Sequence, residues 1–318
     1  MSRAARAAFV AVLCVIWGST WLAIKFAIDG VPPFLAAGVR FAIAAAVLGG
    51  LSAARGVPFP RGARLHLGLF ALGLTTFVVS YGAVYWGEQY IASGLSAVLF
   101  STYPLFVLLL AHAAVEAEPI TPRRLAGVVI GLLGVVLIFR SDLSVDHPRA
   151  FVGAAVTMIS PVASGLGSVG VKRWGRDLHP YVLTTLPMTY GAAGLLAASA
   201  ALEPWEAVRW TASAGIATLY LAVFGSVIAF VTYYKVLKEV AVSSLALITY
   251  VFPVVALALG WLVLGETLRG DALAGAAAIV AGIALATSRR RGSHGRDPES
   301  EAAPLSPASS PAGPPRPT

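Results

Sequence analysis

The stretch that decides the fold of this chain runs from Tyr85 to Phe139 and reads YWGEQYIASGLSAVLFSTYPLFVLLLAHAAVEAEPITPRRLAGVVIGLLGVVLIF. A second version runs from Tyr234 to Thr287 and reads YKVLKEVAVSSLALITYVFPVVALALGWLVLGETLRGDALAGAAAIVAGIALAT. The two align along their length, so that Pro104 matches Pro253. Each version contains two apolar windows of about 20 residues, which is the length that a helix needs to cross a hydrocarbon core. The chain therefore contains a duplicated unit of the kind found in membrane proteins.

The composition supports a membrane protein and argues against several other classes. The mean hydropathy is +0.80 and 12% of the residues are charged, whereas soluble domains carry about 25%. The single cysteine, Cys14, lies in an apolar run, so the sequence predicts no disulfide framework and no metal site or cofactor built on cysteines. The net charge of +8 comes without a basic stretch interleaved with aromatics, and we expect no nucleic-acid partner.

The apolar windows predict an all-α integral membrane protein with ten transmembrane helices. Because lipid offers no hydrogen-bond partner to an open backbone, a spanning segment of this kind must be helical. The tail at residues 289–318 is rich in Pro, Ser and Ala and is predicted to be disordered. The windows lie at residues 7–28, 34–54, 66–86, 92–113, 123–140, 150–172, 181–201, 212–235, 242–264 and 271–288.

The loop charges predict how the chain is oriented. If the N-terminus is cytoplasmic, most Lys and Arg residues fall in cytoplasmic loops, which places both termini and the tail inside. Five spans is an odd number, so the second half would cross the membrane in the opposite sense. We expect two inverted five-helix repeats, at residues 7–140 and 150–288, with a site at their interface as in many secondary transporters.

Aromatic and hydroxyl side chains gather on several of the predicted spans. A cavity lined by aromatic rings and a few hydroxyls suits an amphipathic small molecule. The alternative is that these side chains pack within the bundle or form an interfacial belt. The candidate solute-binding residues of this group are Trp17, Thr20, Trp21, Tyr81, Tyr85, Tyr103, Tyr234 and Tyr250.

Two basic residues near the outer ends of the first two spans are further candidates. Lys25 and Arg40 would attract an anionic solute at the outer mouth, or would extend to the membrane interface as long basic side chains do. All fifteen Asp and Glu residues fall at segment ends, in loops or in the tail. No carboxylate for a proton relay is evident deep in a span, although Glu88 could reach inward from the outer end of the third.

The paired prolines are candidate hinges. Pro104 and Pro253 lie near the middle of their spans, where the ring removes a backbone hydrogen bond and bends the helix. A single membrane proline is often structural. Two at equivalent repeat positions indicate a symmetric pair of kinks that would serve as hinges for a gate.

The residues at the start of the chain resemble a known family. Trp17-Gly18-Ser19-Thr20-Trp21, Lys25, Pro32-Pro33-Phe34 and Arg40-Phe41 resemble the opening of EamA-type members of the drug/metabolite transporter superfamily. The helices of Pro104 and Pro253, and Leu264-Gly265-Glu266, resemble the family's repeated domain, over residues 7–288 in all. The resemblance implies ten helices, cytoplasmic termini, a central cavity, and export or uptake of small metabolites or drugs, with some members moving amino acids.

This chain departs from its own symmetry at one place. The second half has Ser164-Gly165-Leu166-Gly167-Ser168 where the first has the Trp-Gly-Ser-Thr-Trp group. We therefore expect the first half to supply most of the aromatic surface of the site.

The leading hypothesis is a secondary transporter, and an exporter, of small organic metabolites in the inner membrane of a bacterium. Its partners would be a small-molecule solute and membrane lipid, and the sequence indicates no oligomeric state. One alternative is a membrane enzyme that acts on lipid or lipid-linked substrates, which would need a cluster of acid, base or metal-ligating residues at one membrane face. Another is a membrane scaffold with no solute path.

Overall fold

The computed structural model of this chain describes residues 2–115, 118–139, 148–175, 177–206, 208–252, 254–255 and 270–288. Within those ranges every regular element is a helix, and seven helices are long and apolar enough to cross a membrane. The prediction of an all-α membrane fold is confirmed at this level. Pro253, most of the predicted ninth span and the tail at 289–318 lie outside the described residues.

Apart from the ninth window, most of which lies outside the described residues, the helices follow the predicted windows to within a few residues. Three of them begin at a proline, Pro33, Pro122 and Pro180, because proline suits the first turn of a helix, where its missing N–H is not needed. In chain order they are α1 (Arg3–Ala27), α2 (Pro33–Ala54), α3 (Ala63–Gly87), α4 (Ser93–Ala114), α5 (Pro122–Phe139), α6 (Ala150–Trp174), α7 (Pro180–Leu202), α8 (Ala212–Glu239), α9 (Val242–Ala246) and α10 (Gly270–Thr287).

Helices α3 and α8 each contain a π-helical stretch that the sequence analysis did not predict. The stretches span Gly73–Tyr81 in α3 and Val223–Ile228 in α8, at matching places in the two repeats. A π turn leaves backbone carbonyls without their usual helical partners and is frequent at functional sites. In α8 the carbonyl of Gly225 accepts hydrogen bonds from Trp17 Nε1 and Arg40 Nη2, both at 3.3 Å.

Helix α4 is interrupted where Pro104 was expected to bend it. Its two parts, Ser93–Phe100 and Tyr103–Ala114, are separated by a turn at Ser101 and Thr102. The Ser101 hydroxyl donates to Ala97 O at 2.7 Å, which satisfies a carbonyl near the break. The matching segment after α9 is a 3₁₀ turn, Leu247–Tyr250, so the helical geometry changes before both prolines.

Helices α5 and α10 pack through glycines. A Cβ on Gly127 would lie 2.5 Å from Gly282 O, and one on Gly134 would lie 2.6 Å from Gly275 O. Gly127 matches Gly275 in the repeat, and Gly134 matches Gly282. The Gly127–Gly282 contact is therefore the repeat-related copy of the Gly134–Gly275 contact. Small residues at such positions allow the backbones of membrane helices to approach closely.

Two carboxylates join one half of the chain to the other at helix N-termini. Glu118 accepts hydrogen bonds from Val242 N at 2.9 Å and Ser243 N at 3.1 Å, at the start of α9. Glu203 accepts from the first turn of α2, at Phe34 N (2.7 Å) and Leu35 N (3.0 Å). A carboxylate at this position satisfies free N–H groups and complements the helix dipole. Both halves lie within one compact unit that ends at Thr287.

The glycine contact between α5 and α10 gives a test of the packing. Gly134→Ala should lower the free energy of unfolding by about 1–3 kcal/mol, because the added methyl group overpacks the contact. Gly50→Ala is the matched control, since a Cβ at this helical glycine has open space around it. It should be neutral or stabilising by up to about 1 kcal/mol. Thermal unfolding of the purified proteins in one detergent measures both, and equal stabilities for the two variants would contradict the contact.

Candidate functional site

A cavity lies among α1, α3, α4, α6, α8 and the segment that follows α9. Its empty volume is about 750 Å³, counted with the part open to solvent. Most of the lining side chains are aromatic or carry a hydroxyl. They are Trp17, Thr20, Trp21, Ile24, Thr76, Ser80, Tyr81, Val84, Phe100, Tyr103, Ser160, Ser164, Ser168, Phe230, Tyr233, Tyr234, Ile248, Thr249 and Phe252.

Six predicted site residues line this cavity, namely Trp17, Thr20, Trp21, Tyr81, Tyr103 and Tyr234. The rings of the five aromatic residues among them pack against other aromatic rings of the lining. Trp17 contacts Tyr233 with ring centroids 5.3 Å apart, and Trp21 contacts Phe100 at 5.4 Å. Phe100 in turn stacks on Tyr103 at 5.5 Å. The break in α4 lies between these two residues, so it helps to set the shape of the wall.

Hydroxyl groups form two hydrogen-bonded sets in the wall. Tyr103 and Tyr233 each donate to Ser168 Oγ, at 2.8 and 3.0 Å. Ser80 Oγ lies 2.7 Å from the hydroxyls of both Ser160 and Ser164. These bonds hold the lining side chains in place, and hydroxyls of this kind can also exchange partners with a solute.

Thr76 is a polar lining residue whose hydroxyl makes no hydrogen bond. Its Oγ1 is buried and has no hydrogen-bond partner. A Cβ on Gly167 would lie 2.3 Å from this oxygen, so the glycine leaves the space that Thr76 occupies. A buried hydroxyl without a partner is costly, and the oxygen faces Gly167 of α6 in the conformation described.

Both halves of the chain contribute to the cavity at matching repeat positions. Trp17 corresponds to Ser164, Trp21 to Ser168 and Tyr103 to Phe252, and all six residues line it. The first half was expected to supply most of the aromatic surface, and it supplies five of the nine aromatic lining residues, so the excess over the second half is small. The second half supplies four aromatic residues against five, because Phe230, Tyr233, Tyr234 and Phe252 compensate for the missing tryptophans.

Arg40 and Tyr85 lie outside the cavity wall. Arg40 is fully buried and donates to Ser226 Oγ at 2.9 Å and to Tyr85 OH at 3.2 Å. Its guanidinium also lies 5.0 Å from the ring centroid of Tyr81, which does line the cavity. Arg40 thus joins α2, α3 and the π stretch of α8, and it supports the wall from behind.

Lys25 also lies outside the cavity lining and makes structural hydrogen bonds. Its Nζ donates to the carbonyls of Glu88 and, at 3.2 Å, Ile91, which follow the end of α3. Lys172, the matching residue of the second repeat, donates to Leu237 O at 2.8 Å and Val240 O at 2.5 Å. Each lysine therefore satisfies free carbonyls at a helix C-terminus, where a cation is favourable.

The remaining candidates lie away from the cavity or outside the described part of the chain. Tyr250 is buried and donates to Val128 O at 2.9 Å, with its ring against Gly131 of α5. Pro104 lies at the break in α4. Among the described residues, no group of three His, Cys, Asp or Glu side chains is arranged to hold a metal ion.

Several lining residues were missed by the sequence analysis, although some had a signal. Ser160, Ser164 and Ser168 recur every four residues, which places them on one face of α6. Thr76 and Ser80 have the same spacing in α3. Apolar surroundings made these hydroxyls look like ordinary helix-packing residues, and only the three-dimensional arrangement shows that both faces meet at the cavity.

Comparisons with known proteins agree on the kind of protein. The sequence model of the EamA-like transporter family matches residues 5–140 and again residues 151–288. An uncharacterized transporter of Bacillus subtilis, YoaV, is 28% identical over 287 residues, which cover 87% of this chain and 96% of that protein. An uncharacterized inner membrane transporter of Escherichia coli, YedA, is 33% identical over 268 residues, covering 80% and 82%.

A solved structure shares the fold. A crystal structure of another protein matches with a TM-score of 0.75 at 22% identity, covering 90% of this chain and 98% of that one. The fold seen here is therefore one that an experimental structure also contains.

The position of Arg40 gives a testable expectation. Arg40→Gln should lower the free energy of unfolding by about 1.5–3 kcal/mol, because it removes charged hydrogen bonds from buried groups. Arg55→Gln is the control, since Arg55 is exposed beyond the end of α2. Thermal unfolding in detergent compares them, and an Arg40→Gln protein as stable as the control would contradict the supporting role.

Proposed function

Since this chain belongs to the EamA-like transporter family, we propose that it is a secondary transporter that moves small organic metabolites by alternating access. The cavity carries this proposal. It is lined mostly by aromatic and hydroxyl side chains, and both halves of the chain line it at matching positions. In secondary transporters the solute binds near the interface of the repeats, which then move against each other.

We further propose ten transmembrane helices in two inverted five-helix repeats, at residues 7–140 and 150–288. The family model matches the chain twice, close to these bounds. The reciprocal glycine contacts of α5 and α10 are those that a pseudo-twofold axis would generate. The equivalent bonds of Lys25 and Lys172 support the same symmetry.

The wall favours an amphipathic solute with an aromatic or other flat apolar part. Trp17, Trp21 and Phe100 offer ring faces and edges, while the hydroxyls of Ser80, Ser160 and Ser164 offer hydrogen bonds. Aromatic amino acids and related compounds have this combination. The proposal therefore names Trp17, Thr20, Trp21, Tyr81, Tyr103 and Tyr234 as solute-binding residues.

The direction of transport and the gate are part of the same proposal. Because the loop charges favour cytoplasmic termini, we propose that both termini lie in the cytoplasm and that the protein exports its solute across the plasma membrane. The break before Pro104 and the 3₁₀ turn before Pro253 are proposed as the hinges. A segment with fewer α-helical hydrogen bonds bends more easily than a continuous helix.

A binding and counterflow experiment tests the function. Purified protein in liposomes loaded with unlabelled tryptophan, phenylalanine or leucine should take up the labelled compound faster than empty liposomes do. Trp21→Ala should weaken binding of the preferred compound at least about tenfold, which corresponds to ~1.4 kcal/mol, because it removes a ring from the wall.

Trp205→Ala is the matched control, because Trp205 is exposed and lies outside the cavity lining. It should bind as the unaltered protein does. Equal affinity of the two variants for every compound that shows counterflow would contradict the proposed site. Absence of counterflow for a wide panel of amino acids and aromatic compounds would contradict the proposed solute class.

A further inference from the structure

Glu88, at the C-terminal end of α3, is a buried carboxyl group that the proposed solute site does not use. The side chain is fully buried, and neither carboxyl oxygen has a hydrogen-bond partner. The hydroxyl of Ser96, which is also buried and without a partner, lies close to it. Two polar side chains without partners in one corner are unusual, since buried polar groups are normally hydrogen-bonded.

The corner adjoins one end of the cavity. Glu88 lies one helical turn beyond Val84, and its N–H donates to Val84 O at 2.9 Å. Lys25, which bonds the Glu88 carbonyl, directly follows Ile24. Both Val84 and Ile24 line the cavity. A movement that opens this end of the cavity would therefore bring water to the carboxyl group.

The second repeat shows that the helix end does not need a carboxylate at this place. Leu237 occupies the position that matches Glu88, and Lys172 bonds its carbonyl as Lys25 bonds that of Glu88. The capping arrangement is the same in both repeats, whereas the acidic side chain is found in the first alone. Glu88 is therefore not explained by the packing or by the helix cap.

The groups that face Glu88 would respond to its charge. Burial favours the neutral form of the Glu88 carboxyl group most strongly, and the Lys25 ammonium of α1 opposes this effect. The Ser96 hydroxyl of α4 lies close to the group without a hydrogen bond to it. Tyr85 lies on the same helix and is bonded by Arg40 of α2. Arg149, at the start of α6, lies over the ring of Tyr90, 5.9 Å from its centroid.

We propose that Glu88 is a proton-binding site that couples proton movement to the opening of the cavity. In the conformation described here the carboxyl group is protonated, because a buried carboxylate without a hydrogen bond is strongly disfavoured. When this end opens, water reaches the group, the O–H bond breaks and the proton passes to water. The carboxylate that remains is then stabilised by the Lys25 ammonium and by solvent. This inference rests on the proposed transport function and names its coupling ion.

Infrared spectroscopy of the full-length protein in lipid nanodiscs tests the protonation directly and needs no solute. At neutral pH the protein should show the carbonyl stretch of a protonated carboxyl group. The band should be lost in Glu88→Gln and in Glu88→Leu, which copies the second repeat, and kept in Glu239→Gln, a control at the exposed end of α8. Absence of the band in the unaltered protein, or its persistence in both Glu88 variants, would overturn the proposal.

Liposomes test the coupling. With labelled tryptophan, phenylalanine or leucine as the probe, an imposed pH gradient should drive severalfold accumulation by the unaltered protein and by Glu239→Gln. Uptake by Glu88→Gln, normalised to its own exchange rate, should not respond to the gradient. Counterflow without any response to pH in the unaltered protein would overturn the proton site and leave the transport proposal standing. Absence of counterflow for every probe would contradict the transport proposal, while the infrared result would still decide whether Glu88 holds a proton.

Discussion

In the hydrocarbon core of a bilayer, every backbone N–H and C=O group must find its partner within the protein. Four charged residues of this chain serve that purpose. Lys25 and Lys172 bond the carbonyls at the ends of α3 and α8, and Glu118 and Glu203 bond the N–H groups at the starts of α9 and α2. Because these partners satisfy the backbone, helices can end, change pitch or break within the bundle, and a cavity can form between them.

The same constraint connects the irregular segments to the site. In the π stretch of α8, the Gly225 carbonyl accepts hydrogen bonds from Trp17 of the cavity wall and from Arg40 behind it. The break in α4 separates Phe100 from Tyr103, and both side chains line the cavity. Departures from the α-helix thus occur beside the cavity, where side chains add hydrogen bonds to the backbone. A regular bundle of the same sequence would turn several of these side chains elsewhere.

The sequence predicted the helices well and the site in part. Apolar length and prolines at helix starts are local signals, so the windows agree with the helices to within a few residues. The Trp17–Trp21 group and Tyr103 could be identified from their types and clustering. The sequence did not reveal the structural roles of Arg40, Lys25 and Tyr250, because their hydrogen-bond partners lie far away in the chain. A residue that makes a buried structural bond also has the same local sequence pattern as a solute-binding residue. No sequence pattern predicted the two π-helical stretches. The side chain of Glu88 stood out only because the structure shows it to be buried without a hydrogen-bond partner.

Under the proposed alternating access, one cavity opens in turn to both sides of the membrane, and side-specific thiol labelling can detect both openings. Cys14 is the single cysteine of the chain and is buried, so Cys14→Ala provides a background for Ser164→Cys in the cavity wall. A membrane-impermeant thiol reagent should label this cysteine in right-side-out and in inside-out vesicles, and a transported solute should change both labelling rates. Labelling from one side alone, or from neither, with the protein folded and transport intact, would contradict the account.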